Sequence, residues 1–260
     1  MIIEVSVLSR FILLPILCIT VILSACVNTG SPRTGNIDKE KARNIHLDLG
    51  LTYLQRDSRE AARRHFQKAL TLDADSAAAH NGMAMVFERT GEFVLAEKSF
   101  LRAISEDSDY TQTYVSYGRF LSEQKRYQEA YDAFETAAKD IAFKQRPIAI
   151  AYLGQMALKL NNLPKAKSSF QHALNLDNNL PLPMIELADI YFDEKNYAES
   201  KKLLDQYVDL VGRTPQSLWL GIRIERIFGN KDKEASYALM LRNLHPYSLE
   251  YLEYKKAKQQ

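Results

Sequence analysis

The chain has few of the residues on which several kinds of protein site depend. Its 260 residues include two cysteines, one tryptophan and ten glycines. The sequence contains no glycine-rich phosphate loop, no serine nucleophile motif and no Cys/His pair, so it predicts no enzyme, no catalytic residues and no small-molecule substrate. The 34 Lys and Arg residues nearly balance the 32 Asp and Glu residues, and no basic block is present. This balance argues against a nucleic-acid partner.

The first 25 residues have the pattern of a secretion signal. An apolar run, FILLPILCITVIL, extends from Phe11 to Leu23 after Arg10. A helix of this length is too short for a hydrocarbon core of about 30 Å, and Pro15 interrupts it. We therefore expect residues 1–25 to be a cleavable signal peptide and not a membrane-spanning helix.

The signal ends in a motif for lipid attachment. Leu23-Ser24-Ala25-Cys26 matches the lipobox of bacterial lipoproteins, in which small residues precede the scissile bond and the cysteine thiol takes the diacylglycerol. Cleavage before Cys26 also removes Cys18, so no free thiol would remain. The predicted covalent lipid is the diacylglycerol and N-acyl group on Cys26, which anchors the chain to a membrane. We expect no other cofactor.

The residues after Cys26 indicate a location and a tether. Val27 stands where an Asp would retain a lipoprotein at the inner membrane in the enteric-type sorting rule, so we expect the periplasmic face of the outer membrane of a Gram-negative bacterium. The following NTGSPRTGN is rich in Gly, Ser, Thr, Asn and Pro. This composition predicts that residues 26–40 form a flexible tether.

The rest of the chain repeats with a period of 34 residues. The unit that starts at residue 43 carries Leu49, Gly50, Tyr53, Ala62, Phe66 and Ala69 at positions 7, 8, 11, 20, 24 and 27, which is the tetratricopeptide pattern. Equivalent residues follow in units near 43–76, 77–110, 111–144, 147–180, 181–214 and 214–246. We therefore predict an all-α tetratricopeptide-repeat superhelical solenoid of about six helix pairs over residues 41–246, with residues 247–260 as a C-terminal capping segment.

The spacing has a packing reason. Two antiparallel helices cross closely when positions 8 and 20 hold small residues, and large residues at positions 7, 11 and 24 fill the space around them. Position 8 is occupied in turn by Gly50, Ala84, Gly118, Gly154 and Ala188.

Histidines and aspartates in the repeats have structural interpretations. His46 and His80 are 34 residues apart, at a position that usually holds a large packing residue, so no metal site is predicted. The pairs Asp73/Asp75 and Asp107/Asp109 fall between repeats, where Asp supplies caps and turns.

A concave groove is the candidate binding site. Positions 2, 5, 9 and 12 of the first helices line it in this architecture, and the residues that we select there are Leu47, Leu51, Leu54, Asn81, Met85, Val115 and Arg119. We hypothesise that an apolar or amphipathic segment of a partner protein docks near the three leucines and Met85. In the alternative, residues that precede the first unit fold back over these leucines.

Local sequence adds a family resemblance. The segment YVSYGRFLSEQKRYQEAYDAFETAAKD from Tyr114 to Asp140, the start at Leu49, and the end from Trp219 through LRNLHPYSLEYLEY resemble the type IV pilus biogenesis/stability lipoprotein family, the pilotins of the pilus secretin. The resemblance implies a protein that binds secretin subunits and promotes their outer-membrane placement and multimerisation, in support of pilus assembly and twitching motility. The alternative is a repeat lipoprotein that organises peptidoglycan enzymes or outer-membrane protein assembly.

Overall fold

The computed structural model describes residues 39–259, which are helical with no strand in that range. The helices are α1 Lys39–Gln55, α2 Arg59–Leu72, α3 Ala77–Thr90, α4 Phe93–Glu106, α5 Gln112–Glu123, α6 Tyr127–Lys139, α7 Arg146–Lys159, α8 Leu163–Leu176, α9 Pro181–Asp193, α10 Tyr197–Val211, α11 Pro215–Ile227, α12 Lys231–Leu244 and α13 Leu249–Ala257. The predicted signal peptide 1–25 and Cys26 lie outside the described residues. Helix α1 begins two residues inside the segment predicted as a tether.

Within residues 39–259, consecutive helices pack as six pairs, from α1/α2 to α11/α12, and α13 follows the last pair. The part from Arg43 onward forms one compact unit. The all-α tetratricopeptide fold predicted from the 34-residue period is therefore confirmed. Within residues 39–259, each helix is too short or too polar to cross a lipid bilayer.

The turn inside each of the first five pairs uses a left-handed residue at position 15. These residues are Asp57, Gly91, Lys125, Asn161 and Lys195, with φ between 55° and 79°. The next residue donates its N–H to a carbonyl of the preceding helix, as Glu92 does to Phe87 at 2.8 Å. This pattern closes the first helix and reverses the chain. Only one of the five is glycine, so the others accept backbone strain of about 1 kcal/mol each.

Glycines admit a phenylalanine ring between helices. Phe66 is fully buried, and a Cβ at Gly50 would lie 2.6 Å from its ring. A Cβ at Gly82 of the next repeat would lie 2.3 Å from the same ring. Gly50 therefore allows the close helix crossing that was predicted for position 8. The repeat pattern did not reveal the contact between Gly82 and Phe66.

Each of the first four repeats contributes a phenylalanine at position 24 to the core. Phe66, Phe100, Phe134 and Phe170 are buried. Repeat 5 departs from this plan because Leu204 replaces the ring and Ser200 replaces the small alanine at position 20. The Ser200 hydroxyl donates to the carbonyl of Ala188 at 2.7 Å, so the buried polar group is satisfied and the close crossing remains.

The inter-repeat loops confirm the turn-forming role of aspartate. A side-chain oxygen of Asp107 accepts the N–H of Asp109 at 2.9 Å, and Asp73 accepts that of Asp75 at 3.3 Å.

Leu49 differs from the expectation for position 7, because it is 36% exposed. No earlier repeat packs against α1 within the described residues, so this face is left open.

Candidate partner-binding groove

The candidate groove is formed by one face of the first helices α1, α3 and α5. Residues three or four apart share a face of an α-helix, so Leu47, Leu51 and Leu54 align on α1. Asn81, Met85 and Glu88 align in the same way on α3. Tetratricopeptide repeats turn these faces to the concave side of the solenoid.

Three of the predicted residues form an accessible apolar patch. Leu51 is 41% exposed. Leu47 and Met85 are half-buried and pack against the core cluster that contains Phe66. This group, Leu47, Leu51 and Met85, is called the apolar patch below.

Three other predicted residues offer little surface to a partner. Leu54, Val115 and Asn81 are only 5%, 4% and 3% exposed. Leu54 and Val115 belong to the core clusters of neighbouring repeats. The helical period identifies the face on which a residue lies, but it does not show how deeply neighbouring side chains cover it. Arg119 is exposed, as a groove residue should be.

Asn81 is buried with an unsatisfied oxygen. Its Oδ1 atom has no hydrogen-bond donor among the described residues. A buried acceptor left in this state costs about 1–3 kcal/mol. The sequence placed Asn81 in the groove, but only the structure shows that its hydrogen bonding is incomplete.

Two carboxyl groups meet beside the apolar patch. Glu88 of α3 is half-buried, and Glu123 at the end of α5 is exposed. Burial and the Glu123 carboxyl raise the pKa of Glu88 to about 7. The charges of Arg119 and Arg89 lower the same pKa to a lesser extent. Glu123 was not among the predicted groove residues, because it falls at position 13 of its repeat.

The later repeats have a different polar surface. Asp189 of α9 accepts hydrogen bonds from Arg223 and from Gln216 of α11, the latter at 3.1 Å. The Arg223 guanidinium also lies over the Phe192 ring, 4.5 Å from its centre. These charges are paired within the chain, although the buried Nε of Arg223 has no acceptor among the described residues.

The histidines pair differently from the sequence interpretation. His46 Nδ1 lies 3.1 Å from His65 Nδ1, and the His65 ring stacks on Tyr53 at 5.2 Å. Burial lowers the pKa of His65, and the charge of His46 adds to this effect. His80 instead contacts the carbonyl of Ala74 at 2.9 Å. No group of three His, Cys, Asp or Glu side chains within residues 39–259 is arranged to hold a metal ion.

Comparison with known proteins identifies the repeats and the wider family. The tetratricopeptide repeat family matches residues 47–111. The type IV pilus assembly protein PilF of Pseudomonas aeruginosa is 37% identical over 238 residues, which are 91% of this chain and 94% of PilF.

Solved structures agree with this assignment. The structure of Pseudomonas aeruginosa PilF has a TM-score of 0.80 and 36% identity, and the match covers 84% of this chain and 99% of that chain. PilW, a widely conserved type IV pilus biogenesis factor, has the same fold, with a TM-score of 0.69, 23% identity and coverage of 81% and 97%. The identity and coverage shared with PilF show that this chain belongs to the PilF family of tetratricopeptide-repeat proteins of type IV pilus biogenesis.

Proposed function

We propose that this chain is an outer-membrane lipoprotein that binds the type IV pilus secretin and promotes its outer-membrane placement and multimerisation. The observation that carries the proposal is the apolar patch on the first helices of a chain that belongs to the PilF family. An exposed apolar patch inside a repeat groove is typical of protein–protein contact. Pilus assembly and twitching motility would then depend on the chain indirectly.

Lipidation of Cys26 is the second part of the proposal. Two or more acyl chains on this residue, palmitate among them, would hold the repeats at the periplasmic face of the outer membrane. The groove would then carry an unanchored secretin subunit to the same membrane. We propose an adaptor without catalytic activity, metal or cofactor, in which the lipid determines location and the repeats determine the partner.

Substitution of the apolar patch tests the binding step. Leu51→Glu combined with Met85→Glu places two charges where apolar contact is proposed, so we expect loss of secretin capture by the purified chain with helical content unchanged. Val94→Glu with Leu101→Glu is the matched control, because both residues are exposed on α4. Capture that is equally strong in both double variants would contradict the proposal.

Replacement of the lipidated cysteine tests the placement step. In cells with Cys26→Ser, secretin multimers should be lost from the outer-membrane fraction, while the purified soluble repeats should still bind secretin. A blot of separated membranes measures the first result and a pull-down measures the second. Normal outer-membrane multimers in a strain that lacks the whole gene would refute the pilotin function.

A further inference from the structure

We propose that the open face of repeat 1, formed by Ile45 and Leu49 of α1 with Arg64 and Lys68 of α2, contacts an acidic phospholipid surface. These four residues are called the end face below. The inference rests on the proposed function, because a lipid on Cys26 is what brings this part of the chain to a membrane. The end face adds a second, non-covalent membrane contact that orients the repeats.

The apolar half of the end face is a stacking surface without a repeat on it. Ile45 and Leu49 occupy positions 3 and 7 of repeat 1 and are 50% and 36% exposed. A terminal repeat needs a polar outer face to remain soluble, so two exposed aliphatic side chains here indicate a contact. Later repeats bury the same positions: Ala79, Thr113 and Ala149 at position 3 are fully buried, and Met83, Leu153, Leu187 and Leu220 at position 7 are at most 8% exposed.

The cationic half of the end face lies on the most basic of the second helices. Helix α2 has four Lys and Arg residues and one Glu, a net charge of +3, and no other second helix within residues 39–259 exceeds +2. Two of the four cations pair with carboxylates of the chain at 3.1 and 2.7 Å. Arg64 and Lys68, one turn apart and exposed, form no ion pair within residues 39–259.

A histidine contact joins the two halves into one face. His46 Nδ1 of α1 lies 3.1 Å from His65 Nδ1 of α2. Leu49 follows His46 by one turn, and Lys68 follows His65 by one turn, so each shares the side of its helix on which the histidines meet. Burial lowers the pKa of His65, and the charge of His46 and those of the two end-face cations add to this effect. The cations are therefore close to the histidine contact.

The charge of the end face selects its occupant. A second copy of the chain in a two-fold dimer would bring Arg64 and Lys68 against their own equivalents, and repulsion between like charges disfavours this contact. An acidic phospholipid surface offers phosphates to the cations and its acyl boundary to the aliphatic side chains. Basic residues beside exposed aliphatic residues are typical of a contact in the plane of a membrane surface.

The position of the end face in the chain favours the same occupant. Ile45 follows Cys26 by 45 − 26 = 19 residues, which cannot span more than about 65 Å. A lipid on Cys26 would therefore keep the end face near the membrane surface, so that even a weak contact is populated.

Membrane contact through the end face leaves the groove accessible. Ile45 and Leu47 are two residues apart, which places them about 200° apart around α1. The same angle separates Leu49 from Leu51. The end face and the apolar patch thus lie on opposite sides of one helix, and the chain can contact lipid with one side and secretin with the other.

Vesicle binding by an unlipidated chain tests the cationic half. The chain without its signal peptide carries Cys26→Ser, and cosedimentation with phosphatidylcholine vesicles that contain about 30 mol% phosphatidylglycerol measures its partition coefficient. Arg64→Gln with Lys68→Gln should lower this coefficient about tenfold. Lys98→Gln with Lys165→Gln is the control and should lower it less than about twofold, since both lysines are exposed and form no ion pair within residues 39–259.

Substitution of the aliphatic side chains tests the apolar half. Ile45→Ser with Leu49→Ser should also lower the partition coefficient about tenfold, and helical content by circular dichroism should not change because both residues are exposed. Val94→Ser with Leu101→Ser is the control, since these residues are exposed on α4. Pure phosphatidylcholine vesicles should bind the wild-type chain and all variants weakly.

Three results would overturn the inference. They are equal partition coefficients in the end-face variants and their controls, equal binding of the wild-type chain to acidic and to pure phosphatidylcholine vesicles, and a dimer in analytical ultracentrifugation that only Ile45→Ser with Leu49→Ser dissociates. The last result would identify a second copy as the occupant.

Secretin capture judges the proposed function separately. The end-face variants should capture secretin as the wild-type chain does, and loss of capture in these variants alone would assign the end face to secretin and refute the lipid contact. If the wild-type chain captures no secretin but the end-face variants lose vesicle binding as expected, the pilotin function fails and the lipid contact stands.

Discussion

Repeats 1 and 6 carry apolar side chains at the same two positions but use them differently. Positions 5 and 9 hold Leu47 and Leu51 in repeat 1, and Leu218 and Ile222 in repeat 6. The residues of repeat 6 are buried, and aromatic side chains of α13 pack against their cluster. Leu51 remains 41% exposed. The chain therefore covers this face at its C-terminal end with its own last helix, whereas the described N-terminal end presents it to solvent.

The acidic residues at position 12 differ in the same direction. Glu225 is fully buried and paired with Lys201, whereas Glu88 is half-buried and forms no ion pair within residues 39–259. One carboxyl group is thus completed inside the chain and the other is not. The comparison indicates that a repeat face becomes structural when the chain supplies its partner, and becomes available for recognition when it does not.

The largest expected effect comes from removal of the internal cation. Lys201→Met leaves the buried Glu225 carboxylate with Asn230 as its remaining donor, so the free energy of unfolding should fall by about 3 kcal/mol. Urea denaturation at pH 7 measures it. Lys202→Met is the control, since this exposed lysine should contribute less than about 0.5 kcal/mol. If both variants cost the same, Lys201 does not complete the Glu225 site and the contrast with Glu88 is lost.

An intermediate effect of opposite sign is expected at Glu88. The raised pKa means that Glu88 supports folding below its ordinary value of 4.5, and that this support is lost as the pH rises through about 7. Glu88→Gln removes the charge, so at pH 8 it should increase the free energy of unfolding by about 2 kcal/mol, with little change at pH 4.

Glu225→Gln provides the matched comparison for this pH dependence. Its lowered pKa means that the stabilising ion pair is present above pH 4.5 and is lost as the pH falls below it. The substitution should therefore destabilise the protein at pH 8. Thermal denaturation from pH 4 to pH 8 measures how the change in the free energy of unfolding caused by each substitution depends on pH. The same direction of dependence for both substitutions would show that the two carboxyl groups are in equivalent environments.

The smallest effect concerns the capping helix. Tyr254 of α13 contacts Trp219 edge to face, with ring centres 6.3 Å apart. Tyr254→Ala should lower the free energy of unfolding by about 1 kcal/mol and shift the emission of Trp219, the chain's one tryptophan, to longer wavelength. Tyr247→Ala is the control because Tyr247 is 95% exposed. An unchanged spectrum in the Tyr254 variant would mean that α13 does not shield repeat 6.

The sequence predicted the fold well because its signal is local and periodic. The spacing of Gly50, Phe66 and their equivalents specifies helix pairs without knowledge of distant contacts, and the structure confirms it. The groove was predicted less completely. The period placed Leu51 and Met85 on the correct face, but it also selected Leu54 and Val115, which neighbouring repeats bury.

The 34-residue period did not predict contacts between residues that occupy different positions of their repeats. Gly82 meets Phe66 across two repeats, His46 meets His65 and not His80, and Lys201 reaches Glu225. These pairs join residues that occupy different positions of their repeats, so alignment of the chain to itself does not bring them together.

By itself, the sequence determined that the chain repeats as helix pairs, which faces of the helices are apolar, and that Cys26 is the last residue of a lipid-attachment motif. Those properties depend on neighbouring residues and on the 3.6-residue turn of the helix. Only the tertiary structure decided which of the equivalent side chains are covered and which carboxyl groups have a cation. Burial and charge pairing depend on the side chains that neighbouring helices bring within a few ångströms, and those side chains differ from one repeat to the next.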